Sequence, residues 1–195
     1  MTYDPVAYWR ERGETYEAKF VAEAYRDQEA ALLDLVRALP VTGLSVLEVG
    51  CGFGRIGALI EGLSPEVEYT GVDLSPAMLE SARPRIRGEL VESSILDFQA
   101  HGRKWDVVLA VEVLMHIPPD ELAPTVRKLL RLTGGHLVTV DWTTPLPRKR
   151  TAAHNFLHDY SVLADVTVPA LGWPTPRTVE RIPVGLQTIH HLVRP

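Results

Sequence analysis

The sequence has one cysteine, Cys51, in 195 residues, which excludes any intrachain disulfide and any zinc site built from several cysteines. Stability therefore rests on packing. Aromatic residues are scarce, at 7%. Long hydrophobic runs are missing too: stretches such as Val107 to Val111 fall far short of the ~18 residues needed to span a bilayer. The first residues, with Thr2, Asp4 and Arg10, do not read as a charged-then-apolar leader, so the expectation is a soluble, cytoplasmic protein without a membrane partner. Neither sign of charge dominates. With 20 Lys plus Arg against 25 Asp plus Glu the net charge is −5, which argues against a dedicated nucleic-acid or anionic-membrane binder. No repeat or low-complexity segment stands out, and 46% apolar residues at this length suffice for one globular domain with a real core.

What is present alternates. Asp4 and Pro5 suit a helix start, with Tyr8, Trp9, Arg12 and Tyr16 at helical spacing. A second helical pattern runs from about Val21 to Leu39 and ends at Pro40. Leu44 to Val49 then reads as a strand, Gly50 to Gly54 as a loop, Arg55 to Glu61 as a helix and Val67 to Val72 as a strand. Ser75-Pro76 opens a helix to about Arg83, followed by strands near Glu89 to Ser93 and at Trp105 to Val111. Pro118-Pro119-Asp120 begins a helix that reaches Leu132, Gly134-Gly135 ends it, and His136 to Trp142 is the fifth strand. This alternation predicts a parallel, doubly wound sheet. In the tail, Thr143 to Arg150 is expected to be a loop carrying three basic residues, with a short helix over about His154 to Leu163. Asp165 to Ala170 and Gln187 to Val193 are expected to form an antiparallel strand pair, with Gly172 to Pro183 largely irregular between them.

The strongest local signal is Val46-Leu-Glu48-Val-Gly50-Cys-Gly52-Phe-Gly54, with Asp73 ending the next strand 19 residues beyond Gly54. Glycines there allow a tight exit from the sheet and a close approach of backbone N–H groups to a ligand. A carboxylate at the tip of the second strand can accept from both hydroxyls of a ribose. Together they imply an adenosine-containing ligand. Gly52-x-Gly54-x-x-Gly57 also satisfies the dinucleotide fingerprint, so an NAD(P)-dependent oxidoreductase is the rival reading. Glu48, two residues before Gly50, suits a ligand with ammonium and sulfonium charge better than a pyrophosphate.

Over about Leu44 to Trp142 the sequence resembles the class I S-adenosylmethionine-dependent methyltransferases. The resemblance is carried by residues 46 to 54, by Gly71-Val-Asp-Leu-Ser-Pro-Ala-Met-Leu79, by Trp105-Asp-Val-Val-Leu-Ala-Val-Glu-Val-Leu-Met-His-Ile117, and by Leu132-x-x-Gly-Gly-His-Leu137. It implies S-adenosyl-L-methionine as cofactor, held by Glu48, Gly50, Cys51 and Gly52 near its methionine part and by Asp73 and Leu74 at the ribose. Met78 would lie against the adenine, with Ser94 and Ile95 at its edge, and Val111 and Glu112 beside the methionine end. Ser94 stands where the family often has an acid. An aromatic residue before the sheet often closes over the cofactor in this family, for which Tyr8, Trp9 and Tyr16 are candidates by location. The implied fold is α/β: a Rossmann-like, doubly wound, mostly parallel seven-stranded sheet with an antiparallel last strand and helices on both faces. Residues 1–195 form one domain in this reading, with helices over the site at 1–40, a cofactor-binding core at 41–142, and an acceptor-side segment with the last two strands at 143–195.

Methyl transfer is an in-line displacement at an activated carbon, so the protein must chiefly position a nucleophile and expel water. A hydroxyl nucleophile benefits from a base with pKa near the working pH, which makes His116 and His158 the candidate catalytic residues. His154 and His158 lie four apart and would share a helical face, but no flanking glutamate or cysteine pair accompanies them, so no metal is expected. Cys51 is expected to pack rather than react. The [Asp/Asn]-Pro-Pro-aromatic sequence of amino-directed family members is replaced by Ala110-Val111-Glu112-Val113. The expectation is therefore a small-molecule acceptor methylated at oxygen, with a macromolecular acceptor (RNA or protein) as the nearer alternative, for which Arg148-Lys149-Arg150 could meet a phosphate.

Overall fold

The computed structural model describes residues 4–17, 22–39, 43–143, 154–168, 173, 175 and 177–194. The basic run Arg148 to Arg150, and with it most of the expected loop from Thr143, lies outside them. The chain forms two compact units, Val6–Phe98 and, apart from the first five residues, Gln99–Pro195.

In the N-terminal unit, strands β1 (Ser45–Val49), β2 (Glu68–Asp73) and β3 (Glu89–Glu92) are parallel in the order β3-β2-β1, with Val49 beside Val72 and Asp73 beside Glu92. Val46, Leu47, Val49 and Val72 are fully buried, as a strand covered on both faces requires, and each contributes about 1.5–3 kcal/mol on leaving water. Helix α1 (Pro5–Tyr16) begins at its proline, and α2 (Arg26–Arg37), preceded by a 3₁₀ turn at Ala22–Tyr25, buries Leu32 and Val36 along one stripe. Helix α3 (Arg55–Glu61) follows the glycine loop, and α4 (Pro76–Ala82) is capped by Ser75, whose Oγ accepts from Met78 N–H at 3.4 Å. Glu61 at the end of α3 accepts from the N–H groups of Arg87 at 2.9 Å and Gly88 at 2.7 Å, which fixes where β3 starts.

In the C-terminal unit, β4 (Trp105–Val111), β5 (Thr133–Trp142), β7 (Gln187–Val193) and β6 (Glu180–Val184) lie side by side in that order. β4 and β5 are parallel, and β7 runs antiparallel to both its neighbours. Helix α5 (Pro119–Leu132) has its stripe, including Val126, Leu129 and Leu130, fully buried. The fold is the expected Rossmann-like, mostly parallel α/β fold, with seven strands among the described residues.

Three expectations for this unit are corrected. Gly134 and Gly135 do not form a turn: β5 starts at Thr133, and a Cβ on either glycine would sit 2.9 Å from the carbonyl oxygen of Trp105 or Asp106, where the register with β4 shifts. The partner of β7 is Glu180–Val184, not Asp165 to Ala170, and so occupies part of the stretch expected to be irregular. Val166 and Val168 bury one face of a segment without a ladder, while Pro183, which has no N–H to donate, is accommodated in a strand paired on one side only. Finally, the helix expected over His154 to Leu163 is only Val162–Asp165, and residues 155–159 form no regular element. Asn155 and Asp159 are poor helix formers, and Asp159 accepts from Ser161 N–H at 2.9 Å instead.

Candidate functional site

At the carboxyl end of β1 the chain leaves the sheet through Gly50, Gly52 and Gly54, with φ of +71°, +54° and +81°. Side-chain-bearing residues pay for that region, so the glycines are dictated by the turn. The loop is tied to β2: Gly50 and Cys51 N–H both donate to the Val72 carbonyl, at 2.7 and 3.1 Å. Asp73 completes the clasp, accepting from Gly52 N–H at 2.8 Å through Oδ2 and from Ser75 N–H at 2.9 Å through Oδ1. Burial pushes the Asp73 carboxyl up while these N–H groups pull it down. Each carboxylate oxygen keeps a second lone pair.

Asp73 also brings the third expected segment in, since its carbonyl accepts from Ser93 N–H at 2.9 Å. Ser94, next along, donates to Asp97 Oδ2 at 2.6 Å and accepts from Asp97 N–H at 3.2 Å, and Ile95 is half-buried. Met78 is buried, and a Cβ placed on Gly52 would lie 4.0 Å from its sulfur. The N-terminal unit thus gathers Gly50, Cys51, Gly52, Asp73, Leu74, Met78, Ser94 and Ile95 at one edge. Cys51 is buried and its thiol is pushed up by burial and by the carboxyls of Glu48 and Asp73, so it packs as a neutral thiol.

Glu48 is 2% exposed and takes a 2.5 Å hydrogen bond from the Tyr69 hydroxyl. Burial raises its pKa to about 7, against the pull of Tyr69 and Arg55. Arg55 is itself held by Glu29 at 2.8 Å and Gln28 at 3.0 Å, and lies 4.8 Å over the ring of Tyr25. Helix α1 lies across the same edge. Arg10 donates to the Leu74 carbonyl at 3.5 Å and pairs with Glu92 at 3.3 Å, while Trp9 meets Tyr16 and Tyr16 meets Phe53 with ring centroids 5.6 and 6.5 Å apart. Tyr69, Arg55, Arg10 and Phe53 escaped the sequence reading. Their partners lie 21 to 82 residues away, so no local pattern announces them.

In the C-terminal unit Val111 ends β4, and Glu112 follows at φ +57°, unusual for a residue with a side chain. Its N–H donates to the Val140 carbonyl at 2.6 Å, and Gln187 donates to its Oε1 at 2.5 Å. The two candidate catalytic histidines are both tethered to main chain. His116 Nδ1 donates to the His154 carbonyl at 3.2 Å and His158 Nε2 to the Ile117 carbonyl at 3.0 Å, while Phe156 N–H donates to the Met115 carbonyl at 2.7 Å. Residues 115–117 and 154–158 are zipped together. Burial lowers His116 to about 4, and lowers His158 as well. His154 and His158 do not share a helical face. His154, Asn155, Phe156 and His158 are half-buried and Tyr160 is buried, with Leu157 and Asp159 exposed.

Asp141, near the end of β5, is fully buried, and its Oδ1 accepts from Met115 N–H at 3.0 Å. Its Oδ2 has no hydrogen-bond partner, nor has the buried hydroxyl of Tyr160, whose ring stacks on His190 at 4.9 Å. Such an oxygen costs about 1–3 kcal/mol when left unmatched.

Residues 46–134 match the family model of a methyltransferase domain. Over that stretch the chain is similar to the class I S-adenosylmethionine-dependent methyltransferases. It is 30% identical over 112 residues to a malonyl-[acyl-carrier protein] O-methyltransferase from Acetivibrio thermocellus, covering 56% of this chain and 39% of that protein. It is 31% identical over 102 residues to a ubiquinone biosynthesis O-methyltransferase from Thiobacillus denitrificans, covering 49% and 43%. These matches span about two fifths of the length of those relatives. Among solved structures, the magnesium protoporphyrin IX methyltransferase of Synechocystis PCC 6803 with bound S-adenosylmethionine superposes with a TM-score of 0.75 at 17% identity, over 100% of this chain and 99% of that one. The likeness to that structure is one of fold. No helix of the described residues is long and apolar enough to cross a membrane.

Proposed function

We propose that the chain transfers the methyl group of S-adenosylmethionine to an oxygen of a small-molecule acceptor. The observation that carries the reading is the clasp of the glycine loop by Asp73, which fixes a carboxylate with spare lone pairs beside backbone that bears no side chain. Those residues fit the cofactor. Asp73 would accept from its ribose hydroxyls, Met78 would pack on its adenine, Ser94 and Ile95 would meet the adenine edge, and Glu48 would sit toward its cationic end, with Val111 and Glu112 proposed by resemblance for the methionine end. The bound cofactor supplies a carbon already activated by sulfonium, so the protein's work is alignment and exclusion of water. The O-methyltransferase relatives favour oxygen as the atom methylated.

Of the two histidines, His158 is the better base. His116, lowered to about 4, holds a proton too weakly at neutral pH, whereas His158 is only half-buried and the carbonyls of Ile117 and Leu114 support its proton against the burial that lowers it. The test is transfer of a labelled methyl group from S-adenosylmethionine into a whole-cell extract that is then fractionated by size. Label in the solvent-extractable small-molecule fraction supports the reading; label in acid-precipitable RNA or protein would transfer the assignment to a macromolecular acceptor.

A further inference from the structure

We propose that Asp141 and Tyr160 form a polar subsite for the methyl acceptor, and that the acceptor is a neutral, hydroxylated ring compound. The role of the bound molecule rests on the methyl-transfer reading above, while the chemistry of the subsite rests on the C-terminal unit alone. Met115 is the hub. Its N–H donates to Asp141 Oδ1 at 3.0 Å and its carbonyl accepts from Phe156 N–H at 2.7 Å, so Asp141 and the segment 154–160 meet at the same turn. Asp141 Oδ2 and the Tyr160 hydroxyl, together with Asn155 Oδ1, are the buried side-chain oxygens without partners there, and the Asp141 charge acts on the Tyr160 phenol. Neither has any part in holding the cofactor or in the base role of His158.

The surroundings select the ligand. Rings follow one another along the segment, Phe156 to His158 at 5.8 Å, His158 to Tyr160 at 6.0 Å and Tyr160 to His190 at 4.9 Å, and such surfaces suit a flat apolar ligand. A hydroxyl donates and accepts at once, so it can satisfy both a carboxyl and a phenol whichever of them holds the proton. Burial, and with it the Glu112 charge, already hold the Asp141 carboxyl well above the usual carboxylate range, and a carboxylate or phosphate would bring a further negative group to the same place.

Titration of phenol, toluene and benzoate into the full chain saturated with S-adenosylhomocysteine, read by ligand-observed NMR, tests the subsite. Phenol is expected to bind at least about tenfold more tightly than toluene or benzoate, since buried polar groups left unpaired penalise the wrong ligand. Tyr160→Phe and Asp141→Asn should each weaken phenol about tenfold and leave S-adenosylhomocysteine affinity unchanged. Leu157→Ala, at an outward-facing position, should change neither. Should Asp141→Asn disturb the turn at Met115, the conservative Tyr160→Phe still decides. Equal binding of benzoate, undiminished phenol binding by Tyr160→Phe, or no phenol binding in a sample that does bind S-adenosylhomocysteine would each overturn the subsite while sparing the methyl-transfer reading. Failure to bind S-adenosylhomocysteine at all would remove both.

Discussion

At Asp73 two backbone N–H groups converge on one carboxylate, and the glycine loop keeps its shape through them. Asp73→Ala removes both acceptors and the ribose partner together. The affinity for S-adenosylhomocysteine should fall by about 1.5–3 kcal/mol, or roughly ten- to a hundredfold, in a calorimetric titration. Glu48 gives a second residue-scale expectation. Its folded pKa of about 7 lies above the ordinary 4.5, so the folded state holds a proton that the unfolded chain has released between those values. Stability from this group is therefore present below pH 4.5 and lost as pH rises toward 7. Glu48→Gln should flatten that window in a series of thermal melts, and a wild-type profile parallel to that of the variant would contradict it. The acidic and glycine residues of the site were legible in sequence because a tight strand-to-helix exit and a carboxylate at the next strand tip require those residue types at that spacing. The groups that tune them were not, since Tyr69 and Arg55 reach Glu48 only through folding.

Helix α1 shows what an element adds. A Cβ on Gly13 would stand 2.2 Å from Ser75 Oγ and 3.2 Å from Met78 Cγ, so the helix approaches the start of α4 only because that position is bare. Gly13→Val should displace α1, break the Ser75 cap and cost about 1–3 kcal/mol in chemical denaturation, with weaker S-adenosylhomocysteine binding. Unchanged stability and binding would show that α1 is not seated there. Elements with strong periodicity, such as β1, α3, β4 and α5, read correctly from sequence to within a residue or two. The segment after Thr143 did not. A short helix was expected from His154 to Leu163, yet the chain there is tied to the turn before α5 instead, where Phe156 N–H donates to the Met115 carbonyl. In the same way β6 contains Pro183, which argued against a strand until its pairing with β7 alone made the missing N–H harmless.

Across the whole molecule the weak net charge of −5 and the single cysteine leave function to two local constellations rather than to any global field or covalent staple. The N-terminal unit carries the glycine loop Gly50 to Gly54 clasped by Asp73, the proposed cofactor edge. The C-terminal unit carries the histidines, Glu112 and the Asp141–Tyr160 pair. The fold was readable because a parallel sheet writes continuous apolar strands and glycine turns into the chain, whereas the proposed acceptor face is made of tertiary contacts with no fixed spacing. The reading of the loop from Gly50 rather than Gly52 decides between an adenosyl amino acid and a dinucleotide. Isothermal titration of the protein with S-adenosylhomocysteine, and separately with NAD and NADP, tests that choice most directly. Saturable one-to-one binding of S-adenosylhomocysteine with no heat from either dinucleotide is the predicted result; binding of NAD or NADP without S-adenosylhomocysteine would contradict it.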